Sequence, residues 1–149
     1  MPRHETIAND ILLPEMGKLI KEGHTVTLTV KGVSMSPFIV HLRDQVVLGP
    51  FDADALKRGD VVLARERSGQ FVLHRIIGRE GDRLTLMGDG NVRGRELCDV
   101  SDVLGLVHSI IRKGCSISTS SLLWRIYSCI WMTLSPLRRW LLAIWRRLI

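Results

Sequence analysis

Residues 25–37 read Thr-Val-Thr-Leu-Thr-Val-Lys-Gly-Val-Ser-Met-Ser-Pro, and this stretch decides the fold class. Its first half alternates threonine with an apolar residue, which is the period of a strand with one buried face. The chain then enters a turn that is rich in glycine, serine and proline. We therefore expect a strand at 25–30 that leads Ser34 onto a tight turn.

Further strand patterns follow at short intervals, separated by glycine, aspartate and proline. We expect these strands at 45–48, 60–65, 70–77, 83–87 and 103–111. Six short strands of this kind predict a mainly β fold, built as a coiled antiparallel sheet or a partly closed barrel. A short N-terminal helix is expected at about 14–22, with Pro14 at its first position.

A histidine lies inside the fourth of these strands, in the run Phe-Val-Leu-His-Arg-Ile-Ile at 71–77. Alternation places His74 on the same face as Val72 and Ile76. A lone histidine on an apolar strand is more often a structural residue than a catalytic one. Together with Ser34, however, it supplies the nucleophile and the base that acyl transfer at a peptide bond requires.

The order of the motifs resembles the signal peptidase I family and the related peptidase domains of self-cleaving repressors. The matching elements are Ser34-Met35-x-Pro37, then His74-Arg75-Ile76-Ile77-Gly78 followed by Gly81-Asp82, then Gly88-Asp89-x-Asn91. The resemblance extends from about residue 25 to about residue 113. Because the base is a histidine rather than a lysine, the chain resembles the Ser/His branch, which is the archaeal and endoplasmic-reticulum type.

By position, the resemblance implies that Ser34 is the nucleophile and His74 its general base. Imidazole has an ordinary pKa of about 6.5, so it can accept the hydroxyl proton near neutral pH without the burial that a lysine needs. Arg75 alternates to the opposite face, where a solvated or paired structural role is expected. The resemblance also implies a peptide or preprotein substrate with small residues just before the cleaved bond, bound as an added strand.

A carboxylate usually orients such a histidine, and the candidates are Asp89, Glu96, Asp99 and Asp102. Asp89 matches the family's Gly-Asp-x-Asn motif residue by residue, so it is the predicted third catalytic residue. A second interpretation stays open, in which Asp89 only stabilises a hairpin turn. The family's downstream aspartate has no clean equivalent in residues 93–99.

The oxyanion and substrate-binding groups are expected on the nucleophile turn, at Gly32, Ser34 and Met35. The backbone N–H of Ser34 is the natural donor to the oxyanion of the tetrahedral intermediate. Some bacterial relatives add a hydroxyl two positions before the nucleophile, where this chain has Gly32. Ser36 is a further candidate helper, although bonding the turn before Pro37 is its ordinary role.

The last part of the chain predicts a membrane contact. We expect a peptidase-like β domain at 1–113, a linker at 114–120 and an amphipathic helix at 121–149, which Pro136 kinks or divides. Arginines alternate there with four tryptophans, a mixture that favours lipid headgroups. These are Trp124, Trp131, Trp140 and Trp145. The longest uncharged stretch, 126–137, is shorter than the roughly 20 residues of a spanning helix, so the helix is expected to lie in the interface.

The composition of the chain argues against several other classes of protein. The net charge of +6 is concentrated near the C-terminus rather than on a globular face, so no nucleic-acid partner is expected. Three cysteines and five histidines show no paired spacing, so no metal and no other cofactor is expected. No secretory signal peptide or N-terminal membrane anchor is recognisable. For the C-terminal helix, packing on the domain or on a second subunit remains the alternative.

The leading hypothesis is a membrane-associated serine endopeptidase that cleaves a signal or leader peptide after small residues, with its membrane face and oligomeric state left open. The alternative is a non-catalytic, membrane-associated binding module that keeps the peptidase fold. A self-cleaving repressor is less favoured, because the roughly 23 residues before the first strand are too few for a helix-turn-helix domain.

Overall fold

The structure, a computed structural model, describes residues 9–32, 34–91 and 94–148. Within these ranges the chain is mainly β, as predicted, with helices before and after the strands. The helices are α1 (Asn9–Lys21), α2 (Leu122–Thr133) and α3 (Arg138–Leu148). The strands are β1 (Val26–Thr29), β2 (Asp44–Gly49), β3 (Val61–Arg65), β4 (Phe71–Glu80), β5 (Arg83–Met87), β6 (Glu96–Asp99), β7 (Val103–Arg112) and β8 (Cys115–Ser118).

All the strands pair antiparallel in one sheet that curves into a half-barrel. The strand order is β1-β2-β7-β3-β4-β5-β6, and β8 also pairs with β7. One edge of β7 carries β2, while the other edge carries β3 near its start and β8 near its end. β4, β5 and β6 therefore form a meander at one end of the sheet.

The middle of the sheet is buried on both faces. On one face, Leu63 of β3 packs in a cluster with Ile20 of α1 and Trp124 of α2. On the other face, Val62 packs in a second cluster with Ile76 of β4. β3 is accordingly a continuous apolar run, because both of its faces are covered.

The six strands that the sequence predicts are all present, with small differences at their ends. Two further strands, β6 and β8, are not predicted. β6 has only four residues and begins and ends on an acidic residue, so its pattern also fits a turn. β8 falls in the stretch predicted as a linker at 114–120, and that prediction is wrong because β8 pairs with β7.

Helix α1 begins earlier than the sequence predicts. It starts at Asn9, so Pro14 lies inside the helix and removes one backbone hydrogen bond from it. Tertiary packing holds the helix in spite of this defect. Ile20 is buried, and a Cβ on Gly17 would lie only 2.9 Å from the side chain of Leu104 in β7.

The C-terminal segment is divided into two helices. Pro136 lies in a short 3-10 turn, Ser135–Leu137, that separates α2 from α3. Trp124 and Trp131 of α2 are buried. The domain itself therefore covers this apolar face of α2, which is the packing alternative that the sequence leaves open. No helix within the described ranges combines the length and the apolar character needed to cross a bilayer.

A buried carboxylate holds the segment that follows the predicted nucleophile. Asp44, at the start of β2, accepts hydrogen bonds from Arg43 and Arg112 and, at 2.8 Å, from the Val40 N–H. Arg112 also donates to the Phe38 carbonyl. Burial alone would raise the pKa of Asp44, but these hydrogen bonds outweigh it and lower the pKa to about 2. The Asp44–Arg112 pair thus ties the loop at 38–40 to β2 and β7.

Asp44→Asn is expected to destabilise the fold by about 2 kcal/mol near neutral pH. The pKa of Asp44 is about 2 in the folded protein, against 3.8 ordinarily, so its stabilisation is present above 3.8 and is lost as the pH falls toward 2. Urea unfolding at several pH values measures this difference, which should shrink in acid. A difference that is independent of pH would contradict the assignment. Asp54→Asn, at an exposed site, is the control.

Candidate active site

His74 lies on β4 with its side chain on the face that alternation predicts. β4 and β5 pair antiparallel in a register that sets Arg75 against Met87, so His74 is opposite Gly88. Residues that are opposite each other in such a pair share a face. His74 therefore lies on the side where Ile76 is buried, and its imidazole is itself buried over a residue that has no side chain.

Glu96 is the carboxylate that contacts His74. Its Oε2 lies 2.9 Å from His74 Nδ1. Glu96 is the first residue of β6 and pairs with Leu86 of β5, which places it on the same face as His74. A carboxylate only accepts hydrogen bonds, so this contact puts a proton on Nδ1 and leaves Nε2 of the neutral ring free to accept one. That is the tautomer a general base needs.

The Ser34 turn and the His74 imidazole meet over Gly88. The Ser34 carbonyl accepts a hydrogen bond from the Gly90 N–H at 2.7 Å, which ties the turn to the loop after β5. A Cβ on Gly88 would overlap the Ser34 carbonyl oxygen and would lie 3.1 Å from His74 Nε2. Only glycine permits this close approach. The Ser34 backbone and the His74 imidazole therefore both lie against Gly88.

The Ser34 backbone lies close to the imidazole, but the serine hydroxyl makes no direct hydrogen bond to it. Among the hydrogen bonds of the described residues, none joins Ser34 Oγ to His74 Nε2. Catalytic hydrogen bonds are often long in a free enzyme and shorten in the substrate complex. Ser34 is only partly buried, which leaves its side chain room to rotate. The Ser34 N–H remains the predicted donor to an oxyanion.

Asp89, the predicted third catalytic residue, contacts Arg75 rather than His74. Its buried carboxylate accepts two hydrogen bonds from the Arg75 guanidinium, at 2.8 and 2.7 Å. The Tyr127 hydroxyl donates to the same carboxylate at 2.9 Å. Arg75 points away from the imidazole because successive strand residues face opposite sides. The carboxylate beside the imidazole is Glu96, and the predicted placement of Asp89 there is wrong.

The buried pair of Arg75 and Asp89 also docks helix α2. The guanidinium donates to Ser128 Oγ of α2 at 2.7 Å and to the Gly59 carbonyl at 2.9 Å. Burial alone would lower the pKa of Arg75, but the Asp89 carboxylate outweighs it and raises the pKa. Burial raises the pKa of Tyr127, and Asp89 raises it further. The guanidinium therefore stays charged and the phenol stays neutral.

The other residues predicted on the turn have structural contacts. Met35 is buried, and its Sδ accepts from the Asp89 N–H at 3.4 Å. Its side chain therefore supports the turn, and the prediction that it binds substrate is wrong. Gly32 has a φ of +93°, a left-handed conformation that favours glycine. Its N–H donates to His41 Nδ1 at 2.6 Å. That N–H is occupied, whereas the one of Ser34 is the predicted oxyanion donor.

The four tryptophans predicted to meet a membrane fall into two pairs. Trp124 and Trp131 are buried under α2, and the Trp131 indole N–H donates to the Asp89 carbonyl at 3.1 Å. For these two the membrane prediction is wrong, because the domain already covers their rings. Trp140 is 61% exposed and Trp145 is half-buried, both on α3.

Sequence reasoning leaves two parts of the site unassigned. Glu96 is one of four candidate carboxylates but belongs to no motif. Its signal is the alternation of Glu96 and Cys98, which predicts a strand with both on one face. The residues of α2 that touch the buried ion pair are missed altogether, although Tyr127, Ser128 and Trp131 recur at the spacing of one helix face.

Comparisons with known proteins do not assign the chain to a family. No protein-family model matches the chain, and no curated protein is similar to it in sequence. Among the described residues, histidine, cysteine, aspartate and glutamate do not gather into a group of three or more that could hold a metal ion.

Gly88→Ala is expected to push the Ser34 turn away from His74. The added methyl group would collide with the Ser34 carbonyl, so the reaction of Ser34 with a fluorophosphonate should slow by about tenfold or more. Intact-protein mass spectrometry measures the rate of labelling. Gly78→Ala is the matched control, because a Cβ there meets Thr85 at 3.9 Å, an ordinary contact. Equal rates in the two variants would contradict the close approach.

Proposed function

We propose that this protein is a serine endopeptidase of the signal-peptidase type, with Ser34 as nucleophile and His74 as general base. The observation that carries the proposal is the convergence over Gly88 of the Ser34 turn and the His74 imidazole, whose Nδ1 is paired with Glu96. A nucleophile, a base and an orienting carboxylate are the parts that acyl transfer requires. The motif order in residues 25–113 supports the same class.

In the first half of the reaction, the Ser34 oxygen adds to the scissile carbonyl carbon while its proton moves to His74 Nε2. The negative charge that develops on the carbonyl oxygen is stabilised by the Ser34 N–H. Glu96 holds the imidazole through Nδ1 and stabilises the imidazolium. The imidazolium then protonates the leaving nitrogen, the C–N bond breaks, and an ester joins Ser34 to the N-terminal part of the substrate.

In the second half, water adds to the ester carbon and gives its proton to His74 Nε2. The ester C–O bond breaks, the proton returns to the Ser34 oxygen, and the carboxylic acid leaves. The resemblance of the motifs in residues 25–113 supports small residues before the cleaved bond. The proposed substrates are therefore signal or leader peptides with small residues at that point.

Ser34→Ala and His74→Ala are expected to abolish cleavage of leader-peptide substrates. Glu96→Gln should lower kcat by between about 10² and 10⁴-fold, because an amide does not hold the catalytic tautomer. Mass spectrometry of candidate precursor peptides incubated with each purified variant measures this. Cleavage that is equal in wild type and Ser34→Ala would contradict the mechanism.

Two carboxylate controls separate chemistry from stability in the same assay. Glu80→Gln, at an exposed site on β4, should leave kcat unchanged. Asp89→Asn should act through the fold, because it leaves the buried Arg75 without its counter-charge at a cost of about 3 to 5 kcal/mol. A loss of kcat in a fully folded Asp89→Asn protein, with Glu96→Gln active, would assign the orienting role to Asp89 instead.

A second candidate function is a non-catalytic module that binds peptides on the same fold. It is favoured by the geometry of the free site, where the described residues include no bond between Ser34 Oγ and His74 Nε2 and Gly32 offers no side chain to an oxyanion. A fluorophosphonate separates the candidates. An adduct on Ser34 that depends on His74 supports the peptidase, and its absence supports the binding module.

We further propose that the protein attaches to a membrane surface through the outer faces of α2 and α3. Exposed apolar side chains form a stripe on each helix: Leu122, Leu123, Ile126 and Ile130 on α2, and Trp140, Ile144 and Leu148 on α3. Exposed arginines flank these stripes: Arg125, Arg139, Arg146 and Arg147. Guanidinium groups beside apolar side chains are complementary to anionic headgroups above acyl chains.

The double variant Ile130→Glu/Ile144→Glu is expected to bind phosphatidylglycerol vesicles at least about tenfold more weakly than wild type, because each substitution puts a charge on the inserting face. Flotation measures the bound fraction, which should fall with added salt and in vesicles of phosphatidylcholine alone. Leu19→Glu, an exposed site on α1, is the control. No flotation of wild type, or equal flotation of the double variant, would contradict membrane attachment.

A further inference from the structure

A cavity of about 360 Å³ lies between the segment that follows Ser34 and helix α3. It is lined by Ser36, Val40, His41, Gly90, Leu142, Trp145 and Arg146. We call it the α3 cavity. Its volume is at the lower end of the range for ligand sites, which is enough for one bulky side chain.

The α3 cavity adjoins the proposed active site. Ser36 follows Ser34 by two residues on the same turn. Gly90, which also lines the cavity, donates its N–H to the Ser34 carbonyl at 2.7 Å. A peptide whose scissile bond lies at Ser34 therefore passes the cavity close to that bond.

The cavity wall is mainly apolar, although the polar side chains of Ser36, His41 and Arg146 also line it. Val40, Leu142 and Trp145 supply apolar surface. Ser36 is 3% exposed, and its Oγ has no hydrogen-bond partner among the described residues. Buried polar groups are almost always hydrogen-bonded, so this hydroxyl lacks the partner that such a group ordinarily has. An extended peptide offers a carbonyl or an N–H at each residue, and a hydroxyl can pair with either.

We propose that the α3 cavity is a specificity pocket for one bulky apolar side chain of the peptide substrate, with Ser36 Oγ hydrogen-bonded to the adjoining peptide group. The inference rests on the proposed peptidase function and adds a second determinant to it. Small residues set where the peptide is cut, while the α3 cavity sets which peptides are accepted. Because Leu142 and Trp145 belong to α3, the C-terminal helix takes part in substrate selection.

Peptide binding to the Ser34→Ala protein tests the pocket without turnover. The probes are short fluorescein-labelled alanine peptides in which one leucine or one serine is moved along the chain a position at a time. At one position near the cleaved bond, leucine should bind about tenfold more tightly than serine in fluorescence anisotropy. Val40→Phe, which narrows the cavity, should remove this preference. Leu141→Phe, which adds bulk on α3 outside the lining residues, should retain it.

Ser36→Ala separates a ligand role from a structural one and keeps the test informative if Val40→Phe does not fold. Removing an unpartnered buried hydroxyl should raise the Tm by about 2 to 4 °C. The same variant should weaken peptide binding by about threefold to tenfold, because the hydrogen bond to the peptide is lost. Ser101→Ala, at an exposed site, should change neither quantity. A lower Tm or unchanged binding in Ser36→Ala would overturn the role of the hydroxyl.

The combined outcomes distinguish this inference from the peptidase function. Ser34-dependent cleavage without a leucine preference, or with one that Val40→Phe leaves intact, overturns the specificity pocket alone. A leucine preference that Val40→Phe removes, in a protein that never cleaves, supports the pocket and overturns the peptidase. Failure of every peptide to bind overturns both.

Discussion

The buried ion pair between Arg75 and Asp89 is the interaction on which the rest of the structure depends. The two side chains are 0% and 1% exposed, so water solvates neither charge. Each residue follows a residue of the candidate site in the sequence, because Arg75 comes after His74 and Asp89 comes after Gly88. The pair therefore fixes β4 to the loop after β5 at the point where the imidazole meets the Ser34 turn.

The ion pair also makes the C-terminal segment part of the domain. A buried pair is tolerated only when its remaining donors and acceptors are satisfied. Tyr127 of α2 donates one hydrogen bond to Asp89, and Ser128 of α2 accepts one from Arg75. A segment whose composition indicates lipid contact is thus needed inside the fold, and its outer face is left for the proposed membrane contact. The two roles are compatible because they use opposite sides of one helix.

The sequence predicts most of this fold, namely the strands that are long enough to show a clear alternation of apolar and polar residues. β5, at Arg83–Met87, has the predicted bounds because alternation directly reflects its half-buried faces. β6 and β8 have four residues each, which is too short for a clear pattern. They form strands because they pair with neighbouring strands. Ser34 and His74 can likewise be found from their motifs. Their approach depends on the strand register at Gly88, which no local pattern reports.

Which carboxylate contacts His74, Asp89 or Glu96, is likewise decided by tertiary structure and not by local sequence pattern. Asp89 belongs to the matching motif, but its charge is compensated by Arg75 on the opposite face from the imidazole. Glu96 belongs to no motif, yet it is 22% exposed and lies 2.9 Å from His74 Nδ1, where its charge is available to an imidazolium. When His74 accepts a proton, the new positive charge therefore has an adjacent counter-charge that the fold has not already used. One face of β4 can then carry the proposed chemistry while the other face carries the ion pair that holds the strand in place.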